Sequence, residues 1–133
     1  MVKVIHEKGI EFIEVGIPDI HGILRKVLCD ADYFVSTVLE KGLQFKSPSI
    51  AGCQITGEKV EECGLAYRNG VLIPDLDTFR ILPWVDSTAH VLCDFQLESF
   101  GINFEELSCR QICKKQLAKL EDVGWWHLNE SYG

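Results

Sequence analysis

The chain has 133 residues, of which 47% are apolar and 25% charged, a composition typical of one globular domain with a single core. Thirteen basic residues stand against 20 acidic ones, and the net charge of −7 disfavours binding to nucleic acid or to an anionic membrane, because such binding depends on Lys and Arg. The apolar runs are too short to cross a bilayer and the N-terminus lacks the apolar core of a signal peptide, so we expect a cytoplasmic protein.

Residues 10–28, IEFIEVGIPDIHGILRKVL, predict a β-hairpin. Ile10, Phe12 and, less regularly, Val15 would form the apolar face of the first strand. The sequence PDIHG has the residues typical of a turn, and the segment from Ile23 to Leu28 would form the second strand. We therefore expect two paired strands near the start of the chain.

A helix is predicted directly after the hairpin. Asp30 is a favourable N-cap, and Gly42 follows the last turn as a residue that commonly ends helices. Between them the apolar residues recur on one helical face, which consists of Phe34, Val35, Val38 and Leu39. Residues 43–70 then show no period and contain five Gly or Pro residues, which predicts a long irregular segment.

Ordered structure is predicted again for VLIPDLDTFRILPW, residues 71–84, and for TAHVLCDF, residues 88–95. In the first segment we expect Phe79, Ile81, Leu82 and Trp84 in core or interface contacts, and Arg80 as the partner of a carboxylate. The second segment is the clearest strand, because apolar and polar residues alternate along it. Its inward residues would be Ala89, Val91, Cys93 and Phe95, and its outward residues Thr88, His90 and Asp94.

The last predicted element is a helix that begins at Ser108 and ends before Gly124. Ser108 and Gln111 have the spacing of a capping box. An apolar stripe follows this helix and consists of Cys109, Ile112, Cys113, Leu117 and Leu120. Together the elements predict an α+β domain, with a mixed sheet, a helix packed across one face and a closing C-terminal helix.

Cysteine and histidine usage predicts no metal centre. Six cysteines in a chain without a secretory signal are expected to be buried reduced thiols. Cys109 and Cys113 lie one helical turn apart, but no histidine is near them in the sequence, so a zinc site is not expected. The histidines lack the spacing of a metal site or a catalytic triad, and we expect all four at the surface: His6, His21, His90 and His127.

Several of these segments carry a resemblance to a known family. DIHG at the first turn, GLQFKSPSIAG at residues 42–52, IPDLDTFRILPW ending at residue 84, and AHVLCD in the late strand stand in a fixed order. From about residue 10 to residue 124 the chain resembles the N-terminal, β-grasp-type domain of the glutamine synthetase family. The resemblance implies a β-grasp-like domain over residues 1–124. Residues 125–133 would be a tail or the start of a C-terminal catalytic domain.

The resemblance also implies what the chain would contribute. Members of this family form homo-oligomeric rings, in which the N-terminal domain of one subunit completes the active site of its neighbour. ATP and Mg²⁺ or Mn²⁺ would bind only in the C-terminal domain, so this chain alone would hold no cofactor and no catalytic or metal-binding residue. The family's reaction activates a glutamate carboxylate as an acyl phosphate, which an amine then attacks.

One loop departs from the family pattern. Catalytic members have Phe-Asp-Gly-Ser-Ser, in which the Asp holds ammonium. Here Phe45 and Ser49 fit that pattern, but Lys46 stands at the Asp position, Ser47 at the Gly and Pro48 at the first Ser. For charges about 4 Å apart at a dielectric of about 20, an attraction of roughly 4 kcal/mol becomes a repulsion of the same size. The resemblance therefore implies a substrate loop that is degenerate for ammonium.

Three functions remain open from the sequence. In the first, the domain is an assembly or structural module without catalysis, and Lys46 is either a solvated charge or a tethered mimic of ammonium that locks a subunit contact or blocks the pocket. In the second, the chain is a fragment of an active ATP-dependent glutamate–ammonia or glutamate–amine ligase. For an amine other than ammonia, Glu58, Glu61 and Glu62 would bind the cation. In the third, a β-grasp binding domain unrelated to this family would match it at residues 74–84 by chance.

Overall fold

The computed structural model describes residues 1–46, 69–96 and 108–124 of the chain. The strands in these ranges are β1 (Phe12–Pro18), β2 (Leu24–Asp30), β3 (Leu43–Lys46), β4 (Asn69–Pro74), β5 (Arg80–Ile81) and β6 (Thr88–Gln96). The helical elements are α1 (Val2–Glu7), α2 (Ala31–Tyr33), a π-helical turn (Phe34–Val38), α3 (Leu39–Lys41), a 3₁₀ turn (Leu76–Thr78) and α4 (Cys109–Asp122). α2, the π-helical turn and α3 follow one another directly, and we call them together the central helix.

The strands form a mixed sheet in the order β2-β1-β6-β4-β3, with β5 paired to β6. β1 and β6 run parallel, and the other pairs are antiparallel. The chain forms the β1–β2 hairpin and the central helix before it returns to the sheet. The last strand, β6, then lies between β1 and β4 and runs parallel to β1. The predicted α+β class with a β-grasp-like sheet is confirmed.

One face of the sheet, which we call the inner face, packs against the central helix and α1. Its fully buried side chains and those of the two helices make a single apolar core, which includes Ile5, Ile13, Val15, Ile17, Phe34, Val38, Leu72, Ala89, Val91, Cys93 and Phe95. We call the opposite face the outer face. α1 was not predicted, although it contributes Ile5 to the core.

The predicted hairpin is confirmed, but the prediction of its buried face was only partly right. β1 and β2 pair antiparallel, and Val15 lies opposite Val27. Ile13, Val15 and Ile17 point into the core, whereas Phe12 is 40% exposed on the outer face. Ile10 is buried because it lies before the strand, where the backbone does not follow the strict alternation of β1.

The central helix begins and ends as predicted. The Asp30 carboxylate accepts hydrogen bonds from the backbone N–H groups of Asp32 and Tyr33, 2.9 and 3.1 Å away. Gly42 ends the helix at φ 71°, in the left-handed region that favours glycine. The apolar face is also confirmed, because Phe34 and Val38 are fully buried and their neighbours on that face pack against the core. The π-helical turn in the middle was not predicted.

β6 confirms the predicted inward residues, all of which are fully buried. The outward assignment was wrong for Thr88, which is 3% exposed, because its hydroxyl donates to the Asp86 carbonyl and stays within the fold. Arg80 pairs with no carboxylate among the described residues; its guanidinium donates to the carbonyls of Asp77 and Phe79. In the same segment Leu82 is buried and Phe79 packs on the core, but Ile81 and Trp84 are 41% and 76% exposed.

α4 begins after Ser108 as predicted, but the predicted capping box is absent. The Ser108 hydroxyl is buried and has no hydrogen-bond partner among the described residues. Gln111 does not turn back to the helix N-terminus, because its side-chain oxygen accepts a bond from the Phe95 backbone N–H at 3.4 Å. No side chain of α4 is buried, so the apolar stripe predicted on this helix lies away from the core.

The cysteines divide into two classes. Cys29 and Cys93 are buried and free, as expected, and burial raises the pKa of both thiols, to about 12 for Cys93. The expectation of burial was wrong for Cys109 and Cys113, which are free and exposed on α4, because the helix turns its charged side to the sheet. Cys53 and Cys63 lie outside the described residues.

Candidate functional site

The candidate site begins at the end of β3, an edge strand of the sheet. The prediction of an irregular segment from residue 43 to residue 70 was wrong at both ends, where β3 and the start of β4 pair antiparallel. Successive side chains of β3 point to opposite faces. Phe45 is half-buried and packs on the core, whereas Lys46, the next residue, is exposed.

Two glycines hold this edge close to the core. Gly70 lies opposite Phe45, and a Cβ at Gly70 would overlap the Phe95 ring and approach the Gln96 carbonyl oxygen to 2.6 Å. At Gly42 a Cβ would overlap the half-buried Val71 side chain and approach the Leu72 backbone carbonyl oxygen to 2.7 Å. Since both positions meet buried groups or backbone, neither leaves room for a side chain. β3, which ends at Lys46, is therefore packed tightly against the rest of the fold.

The other predicted site residues cannot be compared with the structure. Ser49 and the three acids Glu58, Glu61 and Glu62 lie outside the described residues, as does His127. Lys46 forms no ion pair with any residue in the described ranges. The structure therefore brings Phe45 and Lys46 to the same edge, on opposite faces, and the roles assigned to Phe45, Lys46 and Ser49 remain predictions.

A second polar arrangement lies at the hairpin turn, where the sequence predicted only turn chemistry. Asp19 is 2% exposed, and its carboxylate accepts the backbone N–H groups of His21 and Ile23 and pairs with Arg25 at 2.8 Å. Burial opposes ionisation, but the bonds from Ile23, Arg25 and His21 outweigh it, and the pKa of Asp19 lies below its ordinary value. This arrangement fixes the turn.

An ionic cluster on the outer face attaches α4 to the sheet. Arg110 pairs with Asp75 and, at 3.1 Å, with Asp94, and Lys114 reaches the same two carboxylates at 3.2 and 2.6 Å. Burial raises the pKa of Asp75, but Lys114 and Arg110 outweigh this and hold it below its usual range. The bond to Asp94 raises the pKa of Lys114. Asp94 in β6 and Asp75 directly after β4, together with bases one turn apart on α4, were the sequence signal for this cluster.

The histidines are partly as predicted. His6 and His21 are exposed, whereas His90 is half-buried, with its Nδ1 3.8 Å from Glu14. Burial lowers the pKa of His90, and the nearby Glu14 carboxylate only partly offsets this effect. The carboxylate of Glu14 in turn accepts two bonds from Lys26. Within the described ranges, no group of three or more His, Cys, Asp or Glu side chains is arranged to hold a metal ion.

No family model matches the chain. Three curated relatives match nearly all of it: glutamate–isopropylamine ligase from Pseudomonas sp. (32% identity over 91% of the chain), mouse lengsin (31% over 90%) and glutamine synthetase from Thermotoga maritima (32% over 92%). The chain belongs to the glutamine synthetase family. It corresponds to the N-terminal domain of such a protein, as its sequence predicted.

Solved structures agree with this assignment at the level of the fold. A GmaS–ADP complex superposes with a TM-score of 0.71 over 92% of this chain, at 24% identity. GmaS without ligand superposes with a TM-score of 0.72. The chain spans only 27%, 21% and 26% of the three relatives named above, about a quarter of their length. No helix in the described part of the chain is long and apolar enough to cross a membrane.

Proposed function

We propose that this chain acts as the assembly domain of a glutamine synthetase-type protein and does not itself carry the group that binds ammonium. The observation behind the proposal is the exposed Lys46 at the edge of the sheet, in the position where the family pattern requires an acid. A cation there repels ammonium by roughly the 4 kcal/mol with which an acid would attract it. The proposed partner is a second copy of the same protein, which the β3 edge would face.

The tight packing of β3 on the core supports an assembly role. Gly42 and Gly70 allow the edge to pack closely on the core, and Phe45 attaches it there. A surface that is held rigidly loses little conformational entropy when it binds a partner. The ATP and divalent metal of the family reaction would then bind in a C-terminal domain of the complete protein, not in this domain.

Light scattering with size-exclusion chromatography on the complete polypeptide that carries this chain tests the proposal. We expect an oligomer that shows no ATP turnover with glutamate and ammonium. Lys46→Asp tests whether the β3 edge contributes to the assembly. Its control is Lys8→Asp, which makes the same change of charge at another exposed site. A monomer, or glutamine formation from ammonium, would contradict the proposal.

A second candidate is a ligase that joins glutamate to an amine other than ammonium. The similarity to glutamate–isopropylamine ligase, 32% identity over 91% of this chain, favours it. In such an enzyme a bulkier amine would bind without the acid that ammonium requires. The same assay with isopropylamine separates the two candidates, since ATP consumption that depends on both glutamate and this amine would establish the ligase.

A further inference from the structure

Two cysteines on α4 are exposed and unpaired. Cys109 and Cys113 are both free and accessible, whereas Cys29 and Cys93 are buried in the core. Burial raises the pKa of the two core thiols, to about 12 for Cys93, so they remain protonated and inert. Among the described residues, the thiols that can react or bind a ligand are therefore those of Cys109 and Cys113.

The contacts of α4 explain why this pair is exposed. The helix lies on the outer face through Arg110 and Lys114, which bind Asp75 and Asp94. These contacts orient its charged side toward the sheet. The helical face that carries the two thiols is left open, apart from a weak bond in which the Cys109 thiol donates to the Asp19 carbonyl at 3.9 Å.

The spacing of the two cysteines favours a bridging metal ion over a disulfide. Side chains four residues apart on a helix have Cβ atoms about 5–6 Å apart. A disulfide requires Cβ atoms about 3.5–4.5 Å apart, so a bond between Cys109 and Cys113 would distort α4. A metal ion between the two sulfur atoms spans a wider gap, and two histidines at the same spacing hold zinc in metalloprotease helices.

The number and type of donors select the metal. Zinc requires four ligands in a structural site, and no group of three candidate ligands exists among the described residues. Soft thiolates favour Cu(I), which is stable with two sulfur ligands. We propose that Cys109 and Cys113 form a surface site in which two thiolates bind a soft monovalent cation, Cu(I).

Binding involves no electron transfer. Two S–H bonds break, two Cu–S bonds form, copper enters and remains as Cu(I), and both protons pass to solvent. The complex then carries one more negative than positive charge.

Competition with the chromogenic chelator bicinchoninate, under anaerobic reducing conditions, tests this site. The probe is Cu(I) itself, and the protein is this chain with Cys53→Ser and Cys63→Ser, which removes the two thiols outside the described residues. We expect one Cu(I) per chain. Cys113→Ser should weaken binding about 100-fold, because the second thiolate acts at a high effective concentration.

The matched control combines Cys113→Ser with Lys115→Cys. This variant keeps the number of thiols but moves the second one to another side of α4, so we expect it to bind as weakly as Cys113→Ser alone. Cys113 and Lys115 are both exposed, and circular dichroism checks that each variant folds. Equal affinity in the control and the parent, or no loss on Cys113→Ser, would overturn the proposal.

Discussion

The two faces of the sheet bind their helices by different physics. On the inner face, Phe34 and Val38 of the central helix are fully buried among apolar side chains. On the outer face, α4 is held by Arg110 and Lys114, and none of its side chains is buried. Both helices carry an apolar stripe in the sequence, so periodicity predicts that a helix exists but does not decide which side of it meets the sheet.

The strands determine this difference. The inner face presents apolar side chains, and an apolar helix face gains by leaving water there. At the site where α4 lies, the outer face presents the carboxylates of Asp75 and Asp94. Burying apolar residues against these charges would leave the carboxylates without partners, which costs more than exposing Ile112 and Leu120.

The largest expected effect is on the inner face. Phe34→Ala should lower the free energy of unfolding by about 3–5 kcal/mol, because it removes a fully buried ring. Ile112→Ala on α4, 42% exposed, is the matched truncation and should change it by no more than about 0.5 kcal/mol. Urea denaturation measures both values. Similar losses in the two variants would mean that α4 is packed through its apolar stripe.

Glycine-to-alanine substitutions, one on each face of the sheet, should give a smaller difference in stability. Gly70→Ala places a Cβ against the Phe95 ring and the Gln96 carbonyl, and we expect it to destabilise the fold by about 1–3 kcal/mol. Gly16→Ala, on the outer face, meets only the ends of the His90 and Leu24 side chains, at 3.0 and 3.1 Å, which can move. Thermal unfolding should therefore show a clearly lower melting temperature for Gly70→Ala than for Gly16→Ala.

Removing one cation should loosen α4 without unfolding the domain. Arg110→Ala loses the bonds to Asp75 and Asp94, and we expect a global loss of only about 1 kcal/mol. Amide hydrogen exchange should become faster in α4 and remain unchanged in the central helix. Lys119→Ala, at an exposed position of the same helix, is the control and should leave exchange unchanged. Uniformly faster exchange across the domain would contradict separate attachment of the two helices.

The outer face should also be the more sensitive to acid. The pKa of Asp75 is lowered in the folded state, so its contribution to stability is complete above its unfolded pKa of about 3.9 and is lost as pH falls through the folded value. The apolar contacts of the central helix have no such dependence. Protection from exchange, taken relative to the intrinsic rate at each pH, should therefore be lost in α4 at low pH before it is lost in the central helix. Asp75→Asn should weaken this pH dependence; an unchanged profile would exclude Asp75 as its source.

Local signals predicted much of the fold. The Asp30 cap, the Gly42 end and the inward residues of β6 depend on neighbouring residues, and all three are confirmed. The missed features depend on distant partners. Gln111 bonds to β6 and not to Ser108, and the apolar stripe of α4 is exposed, because residues far away in the sequence compete for these side chains.

The candidate site was less predictable than the fold. Alternation along a strand is consistent with Phe45 on the core and Lys46 on the opposite side, but the irregular composition of residues 43–70 hid the strand itself. The pairing with Gly70 that stabilises it lies more than twenty residues away. What Lys46 meets in an assembly depends on a second molecule, which no pattern within one chain can supply.

Cross-linking from position 46 tests the central claim most directly. A photo-activated amino acid replaces Lys46 in the complete polypeptide, and a parallel variant carries it in place of the exposed Lys8. The account predicts a covalent dimer of two copies from position 46 and much less from position 8. Cross-links from position 46 that remain within one copy, or equal yields from the two positions, would contradict the claim that this edge faces a neighbouring subunit.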